Sequence, residues 1–206
     1  MKTKIKLCGF KHIEDINYAS SLGIDYLGMI FVKNLPRTID INVASNATKI
    51  CKDNNIKSVG VFLDQEVTEI SKLLETVDLD IIQLHGNENI RDYHVLNKPI
   101  IKRVSILEYI RNAPIHEECM YLLDSTNEQM HGGTGQSFDW NLLEGDITPE
   151  TLFIAGGLKP DNILELLALC TPYCVDVSSG IESEVGLKNH ALMSEFVNKV
   201  RTYNEE

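Results

Sequence analysis

Val175-Asp176-Val177-Ser178-Ser179-Gly180 is the stretch that decides the reading of this chain. Its β-branched residues suit a buried strand, and the run then stops at small polar residues able to meet solvent or a ligand. The same figure recurs at Lys6-Leu7-Cys8-Gly9, at Leu122-Leu123-Asp124-Ser125 and at Ala155-Gly156-Gly157. A thiol, a carboxylate and two small-residue turns thus share one setting, the end of a strand. If one sheet carries all four strands in the same direction, these groups converge on a single pocket. That is the layout of an enzyme.

Outward from these segments, short apolar runs alternate with amphipathic stretches along the whole chain. Strands are expected at Ile5–Cys8, Tyr26–Phe31, Ser58–Phe62, Ile81–Leu84, Ile100–Val104, Tyr121–Asp124, Leu152–Ala155 and Cys174–Val177. Helical spacing of apolar residues marks Glu14–Leu22, Glu66–Val77, Asp161–Leu169 and Ala191–Thr202 between them, with Pro160 placed early in the third of these helices. Parallel strands need crossovers, and eight strand–helix units close into a barrel without exposed edges. The expected fold is therefore α/β, a single-domain (β/α)8 TIM barrel over residues 1–206. The length of 206 residues lies at the lower edge for that fold. An open doubly wound sheet shares the local pattern and is the alternative. Eight units, with polar strand ends spread over nearly the whole chain, favour the barrel.

Composition narrows the function. A net charge of −11 speaks against a nucleic-acid partner, which needs clustered basic residues. No apolar run reaches the length of a membrane span, and the chain enters a strand pattern without a signal peptide. Five cysteines, in no zinc-binding spacing, suit reduced thiols and a cytoplasmic location. Four of them read as small buried hydrophobes or surface thiols; only Cys8, at a strand end, has a position that argues for chemistry.

In a barrel the reactive groups lie at the C-terminal ends of the strands, and phosphate commonly binds after the seventh and eighth. Gly156 and Gly157 follow strand seven; Ser178, Ser179 and Gly180 follow strand eight. Their backbone N–H groups, with the serine hydroxyls, suit a phosphate, although tight turns alone would also call for small residues. Cys8 reads as a nucleophile, a base or filler, and Asp124 as a catalytic carboxyl or a cap. Together they make a base and an acid that need neither metal nor cofactor. His85, after Gln83-Leu84, is placed to hydrogen-bond a substrate or fix a neighbour. Arg37, after Leu35-Pro36, is placed to clamp a carboxylate or to form a surface ion pair. The glycine-dense Gly132-Gly133-Thr134-Gly135 is expected in a ligand-embracing loop or a plain connection.

These segments, taken in order with Val59-Gly60-Val61-Phe62, Gln83-Leu84-His85-Gly86, Phe138-Asp139-Trp140, Asp161-Asn162, Ile181-Glu182, Gly186 and Lys188, resemble the phosphoribosylanthranilate isomerase family nearly end to end. The resemblance implies an Amadori rearrangement in tryptophan biosynthesis. N-(5-phosphoribosyl)anthranilate, a phosphosugar, becomes 1-(2-carboxyphenylamino)-1-deoxyribulose 5-phosphate. It implies Cys8 as general base and Asp124 as general acid. It further implies that Arg37 holds the carboxylate, that the two small-residue turns hold phosphate and that Asp176 lies near the sugar. A monomer with no cofactor and no metal is expected. Leu35, Phe10 and Asn189 depart from the family pattern, and none of them removes a catalytic group. The rivals are an imidazole-pathway sugar isomerase, which would pair two aspartates, a flavin-binding barrel, and a noncatalytic phosphosugar-binding barrel.

Overall fold

The computed structural model describes residues 2–112, 119–124, 140 and 151–205. Eight parallel strands close a barrel in chain order: β1 (Lys4–Cys8), β2 (Tyr26–Ile30), β3 (Lys57–Phe62), β4 (Ile81–Leu84), β5 (Ile100–Val104), β6 (Met120–Leu123), β7 (Leu152–Ile154) and β8 (Cys174–Val177). The seam is the β1–β8 pair, with Lys6 opposite Asp176 and Leu7 opposite Val177. On its other side β1 pairs with β2, with Cys8 opposite Gly28.

Alternation along each strand sorts side chains into two cores. Ile5, Leu7, Leu27, Leu84, Leu123 and Val175 join the helices in the larger one. Tyr26, Val59, Ile81, Ile101, Leu122, Phe153 and Cys174 pack together as the second. Around this inner core Lys4 Nζ donates to the Tyr173 hydroxyl at 2.8 Å, and the Tyr173 and Tyr26 hydroxyls lie 2.8 Å apart. Tyr26 and Phe153 meet edge to face at 5.2 Å. Aromatic packing of this kind fills a small barrel, so the interior is a core and the reactive end is its rim.

The crossovers are α1 (Ile13–Ser20), α2 (Ile41–Asp53), α3 (Val67–Leu74), α4 (Ile90–Tyr93), α5 (Ile106–Asn112) and α6 (Ile163–Leu169), with α7 (His190–Tyr203) after the barrel. Asp40 starts α2 by accepting from the Asn42 and Val43 amides, and Asn189 starts α7 by accepting from Ala191 and Leu192. Asn189 thus caps α7 in its own right, whatever pairing its departure from the family pattern removes. Pro160 lies in a turn ahead of α6 and not inside its first turn, since the helix begins at Ile163, and the Asn162 side chain closes that turn by accepting from the Lys159 amide. Most of the β6–β7 connection, including Gly132–Gly135, Ser125, Phe138 and Asp139, lies outside the described residues.

One element went unforeseen. After β8 the chain makes a 3-10 turn over Ser179–Ile181 and then a small antiparallel hairpin, β9 (Glu182–Glu184) with β10 (Leu187–Lys188).

Candidate active site

Cys8 ends β1 and is buried. A Cβ at Gly28 would stand 2.5 Å from its Sγ, so the thiol needs a residue without a side chain opposite it on β2. Gly9 then turns the chain at φ +81°, where its backbone N–H donates to the Gly28 carbonyl at 2.9 Å. A Cβ at Gly9 would come within 2.8 Å of Ser178 Oγ and 3.1 Å of Arg37 Cδ. The ends of β1 and β8 and the loop after β2 therefore meet here.

The charges around the thiol come from three elements. Lys6, two residues back on the same face of β1, is fully buried and donates to Asp176 Oδ2 at 2.6 Å. Burial works against its charge, yet Asp176 and Cys8 hold Lys6 above the usual lysine range. Asp176 Oδ1 is buried and has no hydrogen-bond partner among the described residues. Lys188, brought by β10, has a fully buried side chain that donates to the Ser178 carbonyl at 3.0 Å and to Glu182 Oε1 at 2.8 Å. Burial pushes the Cys8 thiol up; Lys6 pulls it down, Asp176 pushes it up and Lys188 pulls it down. None of the five cysteines, all within the described residues, is in a disulfide. Burial alone puts Cys170 up at about 11, and with Asp80 nearby it puts Cys51 up at about 12. Cys174, in the inner core, is held well above the ordinary thiol range.

Arg37 is half-buried and grips Glu182 with its fork, Nε to Oε1 at 2.9 Å and Nη2 to Oε2 at 2.7 Å. The hydrogen bonds to Glu182 raise the Arg37 guanidinium. Glu182 is buried, which penalises its charge, but Arg37 and Lys188 hold its carboxyl below the usual range. Asp124 stands beyond β6, in the strand order separated from β1 by β7 and β8. Its Oδ2 is 3.5 Å from His85 Nε2. His85 is held by its own amide, which donates to the Phe62 carbonyl, and its Nδ1 lies 3.4 Å from Gln83 Nε2.

Gly156 and Gly157, at φ +86° and +66°, make a turn that other residues adopt only under strain. Asn162 Nδ2 donates to the Gly157 carbonyl at 2.9 Å and fixes it. A Cβ at Gly180 would fall on the Leu158 carbonyl oxygen, so the turns after β7 and β8 touch backbone to backbone. Between them and the hairpin opens a cavity of about 410 Å³ that Arg37, Gly157, Ser179, Gly180 and Glu182 help to line. Among the described residues no three His, Cys, Asp or Glu side chains gather as a metal centre would need.

The structure therefore brings Cys8, Arg37, Asp176, Ser178, Ser179, Gly180 and Gly157 to one end of the barrel, with His85 beside Asp124 on the same rim. Sequence reasoning missed Lys6, Gly28 and the roles of Glu182 and Lys188. Lys6 and Cys8 share a strand face by simple alternation, which was the available signal.

Comparison with known proteins decides the family. The family model for N-(5'phosphoribosyl)anthranilate (PRA) isomerase matches residues 5–199. The chain belongs to the phosphoribosylanthranilate isomerase family. An N-(5'-phosphoribosyl)anthranilate isomerase of Thermoanaerobacter sp. (strain X514) is 35% identical over 204 residues, 96% of this chain and 98% of the relative. Among solved structures, monomers generated from the dimeric isomerase of Thermotoga maritima superpose with a TM-score of 0.81 at 28% identity, covering 97% of this chain and 99% of that one. A phosphoribosylanthranilate isomerase in complex with reduced 1-(o-carboxyphenylamino)-1-deoxyribulose 5-phosphate gives a TM-score of 0.80 at 27% identity, covering the same 97% and 99%.

Proposed function

We propose that this isomerase works by general acid–base catalysis, with Asp124 as the acid and Cys8 as the base. The chain is a phosphoribosylanthranilate isomerase of tryptophan biosynthesis, and these two residues divide its reaction between them. Asp124 gives its carboxyl proton to the furanose ring oxygen of N-(5-phosphoribosyl)anthranilate. The anilino nitrogen pushes its lone pair toward C1, the C1–O bond breaks, and the sugar opens to a Schiff base. The Cys8 thiolate takes the proton from C2, and the electrons of that C–H bond neutralise the iminium to give an enolamine. A proton added at C1, with loss of the C2 hydroxyl proton, leaves the aminoketose. Each step moves a proton between a side chain and the sugar, so the chemistry calls for neither metal nor organic cofactor.

The observation that carries this reading is the shared rim: a thiol and a carboxyl at the ends of β1 and β6, at the end of the barrel where a cavity opens along the turns after β7 and β8. The turns at Gly156–Gly157 and Ser178–Gly180 hold the phosphate through backbone N–H groups. Asp176, through its unpartnered oxygen, takes a sugar hydroxyl, and His85 orients Asp124. Residues 1–206 act as one barrel domain, as a monomer in the cytoplasm. Purified protein should convert phosphoribosylanthranilate after exhaustive dialysis against EDTA, at an undiminished rate. Absence of turnover, or turnover restored only by a divalent ion, would sink the reading.

Arg37 holds the anthranilate carboxylate with the guanidinium N–H groups that Glu182 leaves free, while Glu182 fixes the side chain. Arg37→Ala should therefore raise KM far more than it lowers kcat. A charged hydrogen bond contributes about 1.5–3 kcal/mol, so the expected rise is about 10- to 150-fold. Steady-state kinetics with KM unmoved would remove Arg37 from the binding site.

A further inference from the structure

Lys188 is a buried cation that this mechanism does not use. Its side chain has no exposure, and it is held against the Ser178 turn near the thiol. Its Nζ would lie 3.4 Å from a Cβ at Gly9, the residue next to Cys8, and sits over the Phe10 ring at 5.5 Å from the centroid. Two of its three N–H donors are taken within the described residues, by the Ser178 carbonyl and by Glu182.

We infer that Lys188, anchored by Glu182, is a positioning residue whose buried ammonium sustains the Cys8 thiolate. The charged groups facing Cys8 are Lys6 on β1, Asp176 on β8, Lys188 on β10 and Arg37 in the loop after β2. Lys6 and Asp176 are an ion pair at 2.6 Å whose effects on the thiol oppose each other, that of Lys6 being the larger. Lys188 differs because its carboxylate partner is shared. Glu182 also receives the Arg37 fork, so the Arg37–Glu182–Lys188 cluster carries one net positive charge, and its Lys188 end lies beside the base. Phe10 lends the ammonium an aromatic face. The departure at Phe10 thereby acquires a role, and so do two hairpin residues.

This inference rests on Cys8 being the base, and the test separates the two. Thiolate absorbance in the ultraviolet is followed against pH, taking the difference from Cys8→Ser so that the other thiols and the tyrosines cancel. Lys188→Met is the main variant, since Arg37 remains to pair Glu182; Lys188→Gln is a second neutral variant in case the first does not fold. Lys188→Arg keeps the charge. The Cys8 midpoint should rise by about one pH unit in a folded neutral variant, the low end for losing a nearby opposite charge, and stay near the parent value in Lys188→Arg. On the acid side that is about tenfold less thiolate, so kcat should fall about tenfold there with KM little changed. A midpoint unmoved in a folded neutral variant overturns the inference, and so does an equal rise in Lys188→Arg, which would indicate packing and not charge. A raised midpoint with an unshifted pH–rate profile upholds Lys188 as the thiolate's partner but removes Cys8 from its role as base.

Discussion

Asp124→Asn should lower kcat by about 10²–10⁴-fold, the usual range for loss of one general acid, while a product analogue still binds. The amide has the shape of the carboxyl and can accept or donate a hydrogen bond, but it cannot deliver a proton to the ring oxygen. Ring opening comes first, so the variant stalls with the furanose closed and no Schiff base forms. His85, 3.5 Å away, has no second route to the same atom if its work is to orient the carboxyl. A synthetic open-chain substrate would bypass the lost step and recover part of the rate. Near-normal kcat in Asp124→Asn would reassign the acid.

Cys8→Ser should also lose kcat by about 10²–10⁴-fold, for a different reason. A serine hydroxyl is a far poorer base than a thiol, and no buried cation of ordinary strength makes it ionise near neutral pH. The replacement fits, because Gly28 already leaves the space that the larger sulfur occupies. For the parent enzyme the sign of the pH dependence is set by the active form being the thiolate. Burial sets the thiol above its ordinary range, so most molecules near neutral pH hold it protonated, and kcat/KM should climb as pH rises toward that value. In Cys8→Ser this rising limb should vanish. A variant that keeps the limb, or keeps near-normal kcat, has its base elsewhere.

The barrel was legible because its strands are buried on both sides. Ser58–Phe62 and Ile81–Leu84 are short, mostly apolar runs that amphipathic helices do not imitate, and the strands lie there within a residue of the expected ends. The ends of β6 and β7 fell one residue short, since Asp124 and Ala155 already belong to the rim. The site was legible where one residue type carries its own chemistry: a thiol, a carboxylate, glycines in a turn. It was hidden where chemistry depends on a distant partner. A lysine within an apolar strand looks like an error until Asp176 is known to face it across the seam. The hairpin escaped because strands of three and two residues, mostly polar, have no period to detect. Arg37 was read as a carboxylate clamp or an ion pair, and only the fold brings Glu182 to its fork, where the ion pair forms.

The seam between β1 and β8 has a consequence for how the enzyme comes into being. Within this chain Cys8 is synthesised well before Asp176, Glu182 and Lys188, and Lys6 reaches Asp176 across 170 positions of chain. An incomplete chain therefore holds Cys8 with Lys6 but without Asp176 or Lys188 beside it. Pairing of β8 with β1 and packing of the hairpin bring those groups to Cys8, a high-separation event. Chemistry cannot begin on a half-built barrel, and the onset of activity during refolding should report closure of the ring more directly than any measure of helix or strand content.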